Sequence, residues 1–251
     1  GPSHGPPQQG DRPAQPGAFD PNHLPGTREI LDFTVPMMLG MATVALHTIV
    51  DTAFIGRLGT EQLAAHPLAM LTYLSGMVLM LGIMRNAIAF IARAYGAGEP
   101  LRIGHILAHY HLLVVLGVPV VLVIALAYPL VVAGADVSES VAGYGASYLR
   151  VRVWDVLFLE IFVLYSALYQ SVGNSRFPMV VAWGGLGLNV VLTWALVFGR
   201  LGLPALGMSG AAWATLISAA LEAFVIVVAS YRPVVRRRFA LVPWVRPEWK
   251  T

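Results

Sequence analysis

The sequence predicts an all-α membrane protein, a bundle of six transmembrane helices, from its composition, the length of its apolar segments and the placement of its charges. Hydrophobic residues make up 57% of the 251 residues and charged residues only 12%, with a mean hydropathy of +0.70. A soluble domain of this length is far more polar. The apolar residues gather in segments near or above the roughly 20 residues that a helix needs to cross a bilayer.

Six such segments follow one another, separated by connectors that carry helix-ending glycine, proline, asparagine and aspartate residues. The predicted helices cover residues 29–54, 66–92, 102–132, 144–170, 178–198 and 209–230. In the fifth segment, Gly184, Gly185 and Gly187 would let a neighbouring helix approach closely.

Polar tails flank the predicted bundle, which we place at residues 29–231. Residues 1–28 are rich in proline and glycine and contain no apolar run, so we expect them to be disordered. They begin with Gly-Pro-Ser and no methionine, which looks like the remnant of a protease site from an expression tag. Residues 232–251 form a basic tail.

The arginines predict the orientation of the bundle. Arg93, Arg102 and Arg176 lie in connectors on the same side as the two tails, whereas the opposite connectors hold only Arg57 and Arg200. Because basic residues concentrate on the cytoplasmic side, we expect both termini in the cytoplasm of a chain that crosses the plasma or inner membrane. Because the basic residues are so concentrated on one side, we expect a single orientation in the membrane rather than dual topology. Two copies would therefore associate in parallel.

Several classes of activity find no support in the sequence. The chain has no cysteine and no G-x-x-x-x-G-K-[ST] phosphate loop. Residues 207–210, Gly-Met-Ser-Gly, are similar to the motif of intramembrane serine proteases, but no histidine follows His111 to act as the base. His105 and His109 share a helix face as metal ligands would, although solvated interface histidines are more common. We therefore predict no enzyme, no metal site, no cofactor and no nucleic-acid partner.

Oxygen-bearing side chains within the apolar segments indicate a cation site. Asp51 lies within about one turn of the end of the first segment, either as a functional intramembrane acid or as an acid at the water interface. Asn189 and Thr193 share one face of the fifth helix, and Thr215 lies in the outer half of the sixth. Oxygen ligands gathered in this way suit a proton or a hard cation such as sodium.

A second group of charges lies deeper in the bundle. Arg85 in the second segment and Glu160 in the fourth have similar predicted depths, with Asp155 nearby. An unpaired arginine would be costly there, so we predict that Arg85 pairs with Glu160 or with Asp155. Such a pair would either hold the helices together or act as a gate or substrate contact in a central cavity.

Six short stretches, in their order and spacing, resemble the multidrug and toxic compound extrusion (MATE) transporters. They are residues 50–65, from Val-Asp-Thr-Ala-Phe-Ile-Gly-Arg-Leu-Gly to Leu-Ala-Ala, with residues 92–98, 148–150, 173–179, 189–192 and 207–215. The resemblance implies the N-terminal lobe of a cation-coupled exporter, with a cation site at Asp51, Asn189 and Thr215. A second acid often follows the asparagine by one turn in that family, and Thr193 takes its place here, which favours protons over sodium.

Members of that family have two six-helix lobes, whereas this chain has segments for one. The resemblance therefore implies a half-length secondary transporter that exports small organic, often cationic, compounds in exchange for H+ or Na+. A parallel homodimer or a separate second lobe would supply the other half. The alternative is an isolated lobe that does not transport, or a membrane interaction or assembly subunit.

Overall fold

The structure is a computed structural model that describes residues 26–232. The predicted tails lie outside the described residues except for positions 26–28 and 232. Within the described range the chain forms nine helices and no strand: α1 Thr27–Ile55, α2 Thr60–Arg85, α3 Ala87–Gly96, α4 Pro100–Leu126, α5 Tyr128–Ala135, α6 Glu139–Arg152, α7 Asp155–Ser171, α8 Arg176–Phe198 and α9 Met208–Ser230. The all-α membrane fold predicted from the sequence is confirmed.

The nine helices make six segments, because three of the predicted helices are interrupted. Asn86 separates α2 from α3, Ala127 separates α4 from α5, and Val153 and Trp154 separate α6 from α7. Five segments are long and apolar enough to cross a membrane: Thr27–Ile55, Thr60–Gly96, Pro100–Ala135, Arg176–Phe198 and Met208–Ser230. The remaining segment consists of α6 and α7, and its interruption carries Arg152 on one side and Asp155 on the other.

Helix α9 packs against α6, α7 and α8, and α1 lies along α8. We call the end of the bundle that holds the first residue of α1 the near end, and the opposite end the far end. One cluster of buried apolar residues includes Ile55, Tyr148 and Met208, and a second includes Ile91 and Ile226. The first lies towards the far end and the second towards the near end.

Two glycines set the contact between α8 and α9. A Cβ atom built on Gly210 would lie 2.6 Å from the carbonyl oxygen of Leu196, and one built on Gly185 would overlap the carboxyl group of Glu222. A Cβ atom on Gly184 or Gly187 would meet nothing within 4 Å. Of the three glycines predicted to permit close approach, only Gly185 does so, because the other two face away from this contact.

We expect Gly210→Ala to lower the stability of the bundle, because the added methyl group must push α9 away from the α8 backbone. Overpacking of this kind costs about 1–3 kcal/mol, which should appear as a lower melting temperature in detergent. Gly187→Ala is the matched control, since it adds the same methyl group to an open helix surface. Equal melting temperatures for the two variants would contradict this account of the contact.

Candidate functional site

Asp51 lies one turn before the end of α1 and is buried, with 2% of its surface exposed. The hydroxyl group of Thr215 on α9 lies 3.3 Å from Asp51 Oδ2 and can donate a hydrogen bond to it. Asn189 on α8 donates from Nδ2 to Thr215 Oγ1 over 3.1 Å. Three helices thus bring Asn189, Thr215 and Asp51 into one buried chain of hydrogen bonds, which joins the residues that the sequence singled out.

Several oxygen atoms of this group have no hydrogen-bond partner among residues 26–232. They are Asp51 Oδ1, Asn189 Oδ1 and Thr193 Oγ1. Thr193 lies one turn from Asn189 on α8, and both side chains are fully buried. Buried acceptors without partners are costly, and acceptors that include a carboxylate suit a proton or a hard cation. The cation role of Asp51, Asn189, Thr193 and Thr215 remains a prediction, but the chemistry of their oxygen atoms fits it.

The hydroxyl group of Thr215 also lies 3.1 Å from the carbonyl oxygen of Ala211. A hydroxyl group has a single proton, so it donates to Asp51 or to Ala211 but not fully to both. Because Asn189 donates to the same oxygen, the charge on Asp51 influences the whole chain of bonds. No hydrogen bond joins Asp51 to His47, which lies one turn earlier on α1 and faces a cavity instead.

That cavity has a volume of about 300 Å³ and is lined by residues of α1, α2, α3, α6, α7, α8 and α9. It extends from Pro36 and Ser175, in the near half of the bundle, to Thr215. Thr215 therefore belongs to both the Asp51 group and the cavity wall. A change at Asp51 that moves the Thr215 hydroxyl therefore also changes the surface of the cavity.

A buried ion pair on the cavity wall corrects the predicted partner of Arg85. Asp155 pairs with Arg152, three residues earlier across the interruption between α6 and α7. Asp155 Oδ1 also accepts a hydrogen bond of 2.7 Å from the Tyr73 hydroxyl group, and the Arg152 guanidinium lies 4.6 Å from the centre of the Tyr73 ring. Within residues 26–232, no ion pair joins Arg85 to Asp155 or Glu160, so this pairing is wrong in the structure.

The physical reason is proximity along the chain and the direction in which each side chain points. Arg152 is already beside Asp155, whereas Arg85 is exposed on the cavity wall. Glu160 is buried on a different face of α7, towards α4, where a Cβ atom on Gly117 would lie 3.4 Å from its Oε2 atom. Glu160 does not line the large cavity, which contradicts a role there as gate or substrate contact.

Two buried charged residues of the cavity wall were missed by the sequence reasoning, Arg152 and Glu222. In both cases the sequence contains a pattern that could have identified the residue. Arg152 and Asp155 are opposite charges three residues apart in an apolar segment, a spacing typical of helical pairs. Glu222 is an acid in the middle of the last apolar segment, which is the same argument that identified Asp51.

Comparison with known proteins identifies relatives of this fold and sequence. The family model described as MatE matches residues 36–195. Multidrug resistance protein NorM of Burkholderia vietnamiensis is 29% identical over 194 residues, which cover 76% of this chain and 42% of that protein. A probable multidrug resistance protein NorM of Bradyrhizobium diazoefficiens is 31% identical over 195 residues, which cover 74% and 40%. The chain thus spans less than half the length of these curated relatives.

Solved structures show the same fold. The MATE transporter VcmN of Vibrio cholerae, in its bent form, superposes with a TM-score of 0.69 at 24% identity, covering 84% of this chain and 47% of that chain. A crystal structure of a MATE protein in complex with MaD5 gives a TM-score of 0.72 at 24% identity, covering 84% and 46%.

Proposed function

The chain belongs to the MatE family of multidrug efflux transporters, and we propose that it is one six-segment lobe of an exporter that moves small organic compounds in exchange for H+ or Na+. This is a multi-pass membrane protein. Its cargo, its coupling ion and its assembly are parts of the proposal. In this lobe Asp51 is the coupling acid, and the cavity beside Thr215 holds the cargo.

The observation that carries the proposal is the chain of hydrogen bonds from Asn189 through Thr215 to Asp51. It supports coupling because Thr215 also lines the cavity. When a cation neutralises Asp51, the carboxylate becomes a weaker acceptor, and the Thr215 hydroxyl is freer to donate to the Ala211 carbonyl group. This exchange of partners links the charge of the site to the cavity wall.

A proton is the coupling ion that the residues favour. The group carries a single carboxylate, because Thr193 supplies a hydroxyl group one turn after Asn189. One proton neutralises one carboxylate without requiring further ligands. Sodium would need several oxygen atoms around it, and the free oxygens of Asp51, Asn189 and Thr193 are the ones available to it within the described site.

A second lobe is needed for the transport cycle, because alternating access relies on two bundles that move about a central site. We propose that two copies associate in parallel, with both termini in the cytoplasm. Arg93 lies in the last turn of α3, Arg102 in the first turn of α4 and Arg176 at the start of α8, all at the near end. These positions support this orientation by the positive-inside rule. A lobe that does not transport, serving as an interaction or assembly subunit, is the competing function.

Proteoliposomes that contain the 251-residue chain would test the proposal. With a proton or sodium gradient imposed in turn, we expect a fluorescent organic cation to move against the entering ion, and single-molecule photobleaching to count two copies in each active assembly. Cargo movement that ignores both gradients would contradict the proposed cation coupling, and single copies without transport would favour the non-transporting lobe. Liposomes with equal ion concentrations on both sides are the control.

A further inference from the structure

The cavity wall is mainly apolar, and much of it is made by methionine. Met37, Met70, Met77 and Met179 line it together with Phe162. Thioether side chains adapt to irregular shapes, and a volume of about 300 Å³ lies at the lower end of the range for pockets that hold small organic ligands. The wall therefore suits a compact apolar body of variable shape.

Two arginines and two acids line this wall, but only one arginine and one acid are in contact. Arg152 and Asp155 form an ion pair, so their charges compensate each other, and Tyr73 satisfies the remaining carboxylate oxygen. Arg85 also lines the cavity and is exposed. His47 is a further titratable side chain on the wall. The remaining acid is Glu222, whose side chain forms no hydrogen bond or ion pair with any residue of the described chain.

Glu222 lies two turns after Thr215 on α9 and is 9% exposed. Its carboxyl group occupies the space that a side chain at Gly185 of α8 would fill. The glycine makes room for the acid at the edge of the cavity. A carboxylate held in an apolar wall without a partner is costly in the membrane interior, which indicates that a partner arrives from the cavity.

We propose that Glu222 is the binding residue for the positively charged group of a lipophilic organic cation held in this cavity. The body of an organic cation contacts the methionine and aromatic side chains of the cavity wall. The inference deepens the proposed function and rests on it for the idea that the cavity holds cargo. It assigns to α9 a cargo contact separate from the Asp51 group.

Equilibrium binding of tetraphenylphosphonium to the 251-residue chain in lipid nanodiscs, without any ion gradient, tests this inference. We expect Glu222→Gln to weaken binding about tenfold or more, because it removes the attraction between the carboxylate and the phosphonium charge in a site of low dielectric constant. Triphenylphosphine oxide, which is neutral and similar in shape, should bind equally to both proteins. Glu160→Gln is the matched control, because Glu160 is a buried acid outside the cavity.

A second pair of variants keeps the test valid if Glu222→Gln folds poorly. Gly185→Ala should displace the Glu222 carboxyl group and weaken binding of the phosphonium ion but not of the oxide, whereas Gly184→Ala adds its methyl group to open space and should change neither. Unchanged phosphonium binding in Glu222→Gln, equal loss of both probes, or no phosphonium binding by the unaltered chain would each overturn the inference. Because no gradient is present, a chain that binds the cation but fails to transport it contradicts only the proposed coupling.

Discussion

Replacing Asp51 by asparagine is expected to reduce gradient-driven transport to the level of protein-free liposomes. Asparagine keeps the shape of the side chain and a carbonyl oxygen that can accept from the Thr215 hydroxyl group, so the hydrogen bond between α1 and α9 survives. It removes the charge that a coupling cation would neutralise. Initial rates of cation-driven cargo movement in proteoliposomes, at equal protein content, give the measurement.

Asp32→Asn is the control for this prediction. Asp32 lies on the same helix, but it is an exposed acid that pairs with Arg176 over 3.3 Å. Exposed ion pairs contribute little to stability, so this variant should transport at the rate of the unaltered chain. Transport by Asp51→Asn at the rate of Asp32→Asn would remove Asp51 from the coupling mechanism.

Breaking the Arg152–Asp155 pair on one side is expected to have the largest effect on stability. Arg152→Met leaves Asp155 as a buried carboxylate without a compensating charge. Asp155→Leu leaves Arg152 as a buried guanidinium without a compensating charge. Removing one partner of a buried pair costs about 3–5 kcal/mol, whereas replacing both by apolar residues of similar volume is often neutral or stabilising. The double variant Arg152→Met/Asp155→Leu should therefore recover much of the stability that each single variant loses.

Unfolding by denaturing detergent, followed by circular dichroism, measures all three variants. Arg176→Met is the reference, since its ion pair with Asp32 is exposed and should contribute no more than about 1 kcal/mol. If the losses of the two single variants simply add in the double variant, then Arg152 and Asp155 do not stabilise each other and the described ion pair is wrong.

The sequence predicted the outline of the fold because each apolar segment is long and ends at clear breakers. It could not predict the interruption at Val153 and Trp154, since neither residue is a proline or glycine. Arg152 and Asp155 flank that interruption and pair across it. Pairing Arg85 with Glu160 relied on equal depth, but depth does not determine the face of a helix on which a side chain lies.

The candidate site was easier to find for a physical reason. Polar side chains in hydrocarbon are rare and expensive, so Asp51, Asn189 and Thr215 stood out before their helices were placed. Their mutual contacts depend on how α1, α8 and α9 are rotated about their axes. The sequence does not specify these rotations, whereas the structure shows the resulting contacts. The rotation of α8 about its axis also decides which of its glycines faces α9. Gly185, rather than Gly184 or Gly187, makes room for the carboxyl group of Glu222.

Cation uptake by the purified chain tests the central claim most directly. Proton uptake can be followed by difference titration of the unaltered chain against Asp51→Asn, and sodium uptake by equilibrium binding of radioactive sodium to the same two proteins. We predict that the unaltered chain takes up one coupling cation, most readily a proton. Asp51→Asn should not take up this cation. Identical uptake of both ions by the two proteins would contradict the assignment of Asp51, Asn189 and Thr215 as the coupling site.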